Sequence, residues 1–259
     1  MSEKRFRLIV AYDGSHYMGS QYQKDVPTVQ GMLETALSTI IKQSVRIITA
    51  GRTDTGVHAL GQVASFEANT GMVPEEVERA LNSILPQDIC ILRVDYAQDA
   101  FHPRYSALLR HYLYLVVHTN LPFYRNYSYY LPKRLNIESI GDAIDIFYGL
   151  SDFSALCVQE ERDKKAKITK ISASNFGVFT AFRVSAPFFL RRMVRMMVGA
   201  LIEVGLGRLN LDELTNTLES GDPGGIVPLP PNGLYLARVD YPDGFSADVN
   251  SVFGIPIDF

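Results

Sequence analysis

The chain has 259 residues, of which 47% are hydrophobic, and a formal net charge of -3. This is enough apolar material for one large domain or two ordinary ones. The charge provides no global attraction to a polyanion, so any nucleic-acid contact must come from local clusters of Lys and Arg. No stretch reaches the roughly 18 apolar residues of a membrane helix, and the N-terminal apolar run is too short for a secretory signal. We therefore expect a cytoplasmic protein without a membrane partner.

The two cysteines, Cys90 and Cys157, are far apart and form no CxxC pair. Neither a disulfide framework nor a zinc site is indicated. We expect both thiols to be buried as small hydrophobic groups.

The first part of the chain predicts the order β-α-β-β-α-β. A strand over 5–12 ends at the turn Asp13-Gly14. Apolar residues at helical spacing predict a helix over 28–43, with Thr28 as its N-cap. The elements that follow are strands over 45–50 and 62–68, a helix over 74–85 and a strand over 88–96.

The rest of the chain repeats this order. Its predicted elements are a strand over 106–118, a helix from Asn136 to about Tyr148, strands near 167–174 and 178–185, a helix from Pro187 to about Val204 and a strand over 233–241. Two ferredoxin-like units are the simplest account, which predicts an α+β fold with halves 1–104 and 105–259. A short helix over 210–221 and an aromatic-rich loop over 120–134 lie outside the repeat.

One loop of the first half is rich in reactive and flexible residues. AGRTDTGVHALGQ, at 50–62, contains a carboxylate, an arginine, a histidine and three glycines. Hairpin loops usually take two to five residues, whereas this one takes about ten. A solvated loop with turn glycines is the simpler alternative. Catalytic residues favour loops that a rigid scaffold holds, so the composition favours a functional role.

Asp54 is the only carboxylate in this loop. A lone acid argues against the paired carboxylates of most glycoside hydrolases and against a multi-acid metal site. It suggests a nucleophile or a base. Asp54-Thr55-Gly56 also suits an aspartyl-phosphate enzyme, but those enzymes commonly carry a second acid where this chain has Gly56. Phosphoryl transfer is therefore disfavoured.

The segment GRTDTGVHA, at 51–59, resembles the signature of the TruA family of tRNA pseudouridine synthases. The similarity extends over nearly the whole chain, and the order and spacing of its motifs make it specific. The further motifs are YDGSHYMGSQYQ (12–23), TVQGMLE (28–34), FHPRYSALLRHYLY (101–114), DFSALC (152–157), FFLRRMVRMMVGALIEVG (188–205) and GLYLARVDY (233–241). The resemblance implies two ferredoxin-like halves in a pseudouridine synthase fold, with a central, mainly antiparallel sheet and an active-site cleft between them.

The implied reaction is the isomerisation of uridine in tRNA, at positions 38, 39 and 40 of the anticodon arm, without a cofactor. The bond from C1′ to N1 breaks, the uracil turns while still bound, and a new bond joins C1′ to C5. The family's aspartate that matches Asp54 is indispensable and acts either as a nucleophile or as a base on the sugar. The resemblance also implies a homodimer whose two subunits both contact the tRNA.

The resemblance assigns two further catalytic residues, Tyr112 and Arg195. On a strand, Tyr112 shares one face with Arg110 and Tyr114. Its ring there can stack on a turned-out uracil, and its hydroxyl can assist proton movement. Arg195 offsets the cost of keeping Asp54 ionised in a desolvated pocket. Without the resemblance, a structural tyrosine and a solvated basic helix face would be the simpler interpretation.

Five arginine and histidine side chains are expected to bind the substrate; they are Arg52, His58, Arg110, Arg191 and Arg192. A uridine inside a stem must leave the stack, and the residues that flank Asp54 suit the vacated position or a neighbouring phosphate. His58 fits loop packing equally well. Arg191 and Arg192 lie within a turn of Arg195 on the predicted helix and are expected to face phosphates.

Further tRNA contacts are expected from the basic segment 162–170 and from Lys133 and Arg134. Ser20 stands where the family often has tryptophan, which leaves open whether the modified positions are the usual ones. A non-catalytic RNA-binding protein with tandem RRM-like halves would share the β-α-β-β-α-β order. However, neither QVASFEA nor VFTAFRVS carries the aromatic pattern that an RRM strand needs.

Overall fold

A computed structural model describes residues 3–158 and 165–259 of the chain. Within these ranges lie eleven strands and five α-helices. In chain order they are β1 (Lys4–Tyr12), α1 (Val29–Ile41), β2 (Ile48–Thr49), β3 (His58–Ala68), α2 (Pro74–Ile84), β4 (Ile89–Tyr96), β5 (Leu109–Val117), β6 (Tyr129–Tyr130), α3 (Ile137–Gly149), β7 (Lys170–Phe176), β8 (Phe179–Ala186), α4 (Met193–Gly205), α5 (Leu211–Ser220), β9 (Leu234–Asp240), β10 (Ser251–Val252) and β11 (Ile255–Pro256). None of the helices in the described ranges has the length and apolar content needed to cross a bilayer.

The chain forms two compact units. The first comprises Met1–Leu108 and Tyr235–Val249, and the second comprises Leu109–Leu234 and Asn250–Phe259. Residues 235–249 therefore group with the first unit, although the predicted second half, 105–259, includes them. The reason is local, since β9 pairs in parallel with β3 through His58 and Tyr235.

The first unit has the predicted β-α-β-β-α-β order and a mainly antiparallel sheet. Strand β1 lies between β4 and β3 and is antiparallel to both, and β2 pairs antiparallel with β3. Helices α1 and α2 contact each other, and α2 contacts β4. The side chains of this core that are at most 1% exposed include Phe6, Leu8, Val10, Leu33, Leu37, Val77 and Leu81. Burial of each large apolar side chain stabilises the unit by about 1.5–3 kcal/mol.

The second unit contains an antiparallel sheet in the order β5-β8-β7, with β6 added in parallel to β5. Helix α3 contacts α4 and β7, and α4 contacts β5. Gly205 permits the close approach of α3 and α4, because a Cβ there would lie 2.7 Å from Cδ1 of Ile140. Arg183 of β8 connects the sheet to the C-terminal residues, because its guanidinium donates to the Pro256 carbonyl at 2.6 Å.

Most of the predicted elements are confirmed, and the Thr28 side chain caps α1 by accepting from the Gly31 N–H. The helix predicted from Pro187 begins instead at Met193, because Arg192 adopts a left-handed backbone with φ 63°. The expectation of buried thiols is wrong, since Cys90 is exposed and Cys157 is half-buried. Alternation along β4 turns Ile89 and Ile91 inward and Cys90 outward.

The basic segment over 162–170 falls partly outside the described residues. Positions 162–164 lie there, so nothing is concluded about them. Lys165, Lys167 and Lys170 are exposed. Their exposure is compatible with RNA contact and equally with a solvated surface.

Candidate active site

Asp54 lies in the loop that joins β2 to β3, at the first position of a tight turn. The Val57 N–H donates to the Asp54 carbonyl at 3.1 Å. Gly56, the third residue of the turn, has φ 77°, a backbone conformation that favours glycine. The carboxylate-bearing residue is half-buried. The turn therefore fixes the backbone on the C-terminal side of Asp54 and leaves part of the residue accessible.

Thr53, the residue before Asp54, forms hydrogen bonds to Ser20 through both its backbone N–H and its backbone carbonyl. The Thr53 N–H donates to Oγ of Ser20 at 2.8 Å, and the Ser20 N–H donates to the Thr53 carbonyl at 3.0 Å. Thr53 is buried, and its Oγ1 lies 2.8 Å from the Tyr12 hydroxyl. Gly19 lies against the same carbonyl, because a Cβ there would be 3.0 Å from the Thr53 oxygen. The backbone N–H and the backbone carbonyl of the residue before Asp54 are thus both hydrogen-bonded.

A buried polar cluster lies at this point of the first unit. The Tyr12 hydroxyl lies 2.8 Å from Oγ1 of Thr53, and the side chains of Gln62 and Ser20 also act on its pKa. Gln62 in turn donates to the Gly51 carbonyl at 2.8 Å. Burial raises the pKa of Tyr12, so its hydroxyl stays protonated at neutral pH. Tyr12 of β1 and Gln62 of β3 therefore attach the loop to the sheet, the first at Thr53 and the second at Gly51.

His58 anchors the other end of the loop. Its side chain is buried, its Nδ1 accepts from the Gly14 N–H at 3.1 Å, and its ring stacks on Tyr235 with centroids 4.9 Å apart. These are the contacts of the loop-packing alternative. A role for His58 in substrate binding stays a prediction. Arg52, by contrast, is exposed and accessible to a ligand.

In the second unit, one face of β5 meets the segment that leads into α4. The Arg110 guanidinium donates to the Pro187 carbonyl at 2.5 Å. The next residue on that face, Tyr112, is half-buried and makes an edge contact with Phe189, with centroids 5.0 Å apart and planes at 86°. Arg110 and Tyr112, which are predicted to share one face of the strand, therefore both contact the segment over 187–189. Arg110 is buried in this contact, and its role in substrate binding stays a prediction.

Arg195 lies beside Tyr114, the third residue of the same strand face. Burial raises the pKa of Tyr114, and the charge of Arg195 acts in the opposite direction. Nε of Arg195 donates to the Leu229 carbonyl at 2.5 Å, and the Tyr114 hydroxyl donates to the neighbouring Pro230 carbonyl at 2.8 Å. The residue pair 229–230 thus fixes the half-buried Arg195 relative to β5.

The expected row of three arginines on one helix is wrong. Arg191 and Arg192 precede α4, and only Arg195 lies within it. Arg192 has a left-handed backbone immediately before the first residue of the helix. Its side chain is half-buried, whereas Arg191 is exposed. A non-glycine residue in this region costs about 1–3 kcal/mol and is found where surrounding contacts impose it.

The structure thus brings the predicted residues together within each unit. In the first unit, Arg52 and Asp54 lie in the loop before β3, and His58 is the first residue of that strand. In the second unit, the strand face that carries Tyr112 contacts the segment that leads to Arg195. Sequence reasoning missed the polar cluster of Tyr12, Ser20, Thr53 and Gln62. The available signal was a tyrosine and a glutamine within otherwise apolar strands. In the described ranges, no group of three or more His, Cys, Asp or Glu side chains could hold a metal ion.

Comparison with known proteins identifies the family. A family model described as tRNA pseudouridine synthase matches residues 8–106 and 143–242. A protein of Pseudothermotoga lettingae named tRNA pseudouridine synthase A is 42% identical over 92% of this chain and 100% of its own length. Its namesake from Dictyoglomus turgidum is 40% identical over 91% of this chain and 99% of its own length. A Bacillus cereus protein named tRNA pseudouridine synthase A 2 is 37% identical over 91% of this chain.

The matched segments include the Asp54 loop and the Arg195 helix, whereas Tyr112 lies between them. The two segments together cover well over half of the chain, and the relatives match it almost from end to end. The chain is therefore an enzyme of the tRNA pseudouridine synthase family.

Proposed function

We propose that the enzyme converts uridine to pseudouridine at positions 38, 39 and 40 of the anticodon arm, with Asp54 as the reacting carboxylate. Membership in the tRNA pseudouridine synthase family is the observation that carries the reaction and the substrate class. The setting of Asp54 supports its role, since the backbone is hydrogen-bonded on both sides of a half-buried acid. Catalytic groups act best when the scaffold holds them in the productive geometry.

The reaction is balanced without an added reactant. The C1′–N1 bond breaks, the C1′–C5 bond forms, the hydrogen on C5 is lost as a proton, and N1 gains a proton. Asp54 acts either by attacking C1′ or by removing the proton from C2′ of the sugar. Deuterium at C2′ distinguishes the routes, because only proton removal produces a primary isotope effect on the single-turnover rate.

We assign supporting roles to residues of the second unit. Tyr112 is half-buried on a strand face with a second aromatic ring beside it, a setting in which a turned-out uracil can stack. Arg195 is anchored through Nε and is proposed as a further catalytic residue, as the family resemblance implies. Arg52 and Arg191 are exposed and are proposed to contact phosphates or the position that the uridine vacates.

The test is incubation of the enzyme with unmodified tRNA transcripts, followed by chemical mapping of pseudouridine. Transcripts with uridine at only one of positions 38, 39 and 40 identify which of them react. Transcripts with cytidine at all three are the matched control. We expect pseudouridine in the first set and none in the second. Conversion elsewhere would contradict the assigned positions, and binding without any conversion would support a purely RNA-binding protein.

We further propose that the enzyme is a homodimer, as the family resemblance implies, so that symmetry generates two active sites. Sedimentation equilibrium measures the mass directly. The expected value is twice that of the 28.9 kDa chain. A single species at the monomer mass across the working concentration range would contradict the proposal.

A further inference from the structure

The buried polar cluster at the Asp54 loop has more hydrogen bonds than a solvated turn requires. Three hydrogen bonds converge on one residue, Thr53: its N–H donates to Oγ of Ser20 at 2.8 Å, its carbonyl accepts from the Ser20 N–H at 3.0 Å, and its Oγ1 lies 2.8 Å from the Tyr12 hydroxyl. Tyr12, Ser20 and Thr53 are at most 7% exposed. Buried hydrogen bonds are specific in geometry, because an unmade partner loses its hydration without compensation.

The partners of Thr53 come from rigid parts of the first unit. Tyr12 is the last residue of β1, a central strand of this sheet. Ser20 is buried, and its carbonyl accepts from the Gln30 N–H of α1 at 2.9 Å. The hydrogen bonds of Thr53 to Tyr12 and Ser20 therefore connect the loop to both the sheet and a helix.

From these contacts we infer that Tyr12 and Ser20 are positioning residues for catalysis, which fix the Asp54 carboxylate by holding the peptide that precedes it. They act through Thr53 and need not touch the tRNA. The inference rests on the proposed role of Asp54. It also gives a function to Ser20, whose side-chain hydroxyl accepts from the Thr53 N–H.

Loss of either hydroxyl has a defined consequence. In Tyr12→Phe the ring remains and Thr53 Oγ1 loses its partner. In Ser20→Ala the Thr53 N–H loses its acceptor. A carboxylate that is no longer held in place is productive in a smaller fraction of complexes, so kcat falls while the contacts that bind tRNA remain. Misplacement of a reacting group by about 1 Å costs up to about 100-fold in rate.

The experiment compares single-turnover rates and KM of Tyr12→Phe and Ser20→Ala with those of wild type, at a temperature where circular dichroism shows each variant folded. The matched control is Tyr241→Phe, which also removes a buried tyrosine hydroxyl from the first unit, one that donates to the Pro103 carbonyl at 2.6 Å. We expect at least a tenfold fall in rate for each cluster variant, with KM within twofold. The control is expected to keep the wild-type rate.

A double-mutant cycle sharpens the test. Because both residues act through Thr53, the combined variant should be less impaired than the product of the two single effects. The inference is overturned if folded cluster variants keep rates within threefold of wild type, if they change KM alone, or if Tyr241→Phe is equally impaired. If Tyr12→Phe does not fold, Ser20→Ala alone decides. Activity of Asp54→Asn near the wild-type level would instead overturn the proposed role of Asp54.

Discussion

The glycine at position 14 provides a sharp test of how the Asp54 loop is positioned. A Cβ at Gly14 would overlap the Val57 carbonyl oxygen and would lie 2.6 Å from the Val57 carbonyl carbon. Non-bonded carbon atoms approach to about 3.5 Å, so Gly14→Ala must separate the two backbones by about 1 Å. Val57 closes the turn on Asp54 through its N–H, so the displacement passes directly to the loop that carries Asp54.

We expect Gly14→Ala to lower the free energy of unfolding by about 1–3 kcal/mol, the usual cost of overpacking. Its kcat should fall by about 100-fold, the cost of misplacing a reacting group by about 1 Å. The assay is tritium release from tRNA labelled at C5 of uridine, because the C5 hydrogen is lost when the new bond forms. Urea unfolding reports the stability of the same sample.

The matched control is Gly141→Ala in α3. A Cβ at Gly141 meets no atom within 4 Å, and alanine is favoured over glycine in a helix by about 1 kcal/mol. This variant should be slightly more stable and fully active. Wild-type activity in a folded Gly14→Ala protein would refute the reasoning, because it would show that the loop tolerates the displacement.

Three further predictions concern the second unit. Tyr114→Phe leaves the Pro230 carbonyl without its donor and should cost about 1–2 kcal/mol in urea unfolding; a change below about 0.3 kcal/mol would contradict this. Burial lowers the pKa of His118 from 6.5, so the unfolded chain binds more protons just below that pH, and the free energy of unfolding should fall as the pH drops below about 6.5. His118→Gln should reduce this loss of stability in acid, and a pH profile of stability equal to that of wild type would contradict the prediction. Arg183→Gln removes charge from the group that binds the Pro256 carbonyl and should speed hydrogen exchange at the amides of Ile255 and Ile257, with unaltered exchange as the contrary result.

The periodicity of the sequence predicted most of the helices and strands, because the apolar residues of each element face a core. Thr28 and Pro74 marked helix starts that local rules explain. The start of α4 was missed, because the left-handed backbone of Arg192 has no sequence signal of its own. The short hairpin of β10 and β11 was missed as well, since two-residue strands carry no usable periodicity.

The candidate site was predictable where a single loop contains its residues, and less so where the contacts are long-range. The loop composition indicated Asp54, and the resemblance supplied Tyr112 and Arg195. The hydrogen bond between Ser20 and Thr53 joins residues that are 33 positions apart, a distance over which composition and periodicity carry no information. His58 was open between ligand and packing roles, and only the structure shows its contacts with Gly14 and Tyr235.

The central claim is that Asp54 is the reacting carboxylate. The most direct test measures single-turnover tritium release by Asp54→Asn beside Asp99→Asn, which removes an exposed carboxylate from the same unit. Both variants should bind tRNA as wild type does. We predict that Asp99→Asn keeps the wild-type rate and that Asp54→Asn is slower by about 10³-fold or more. A rate for Asp54→Asn within tenfold of wild type would contradict the account.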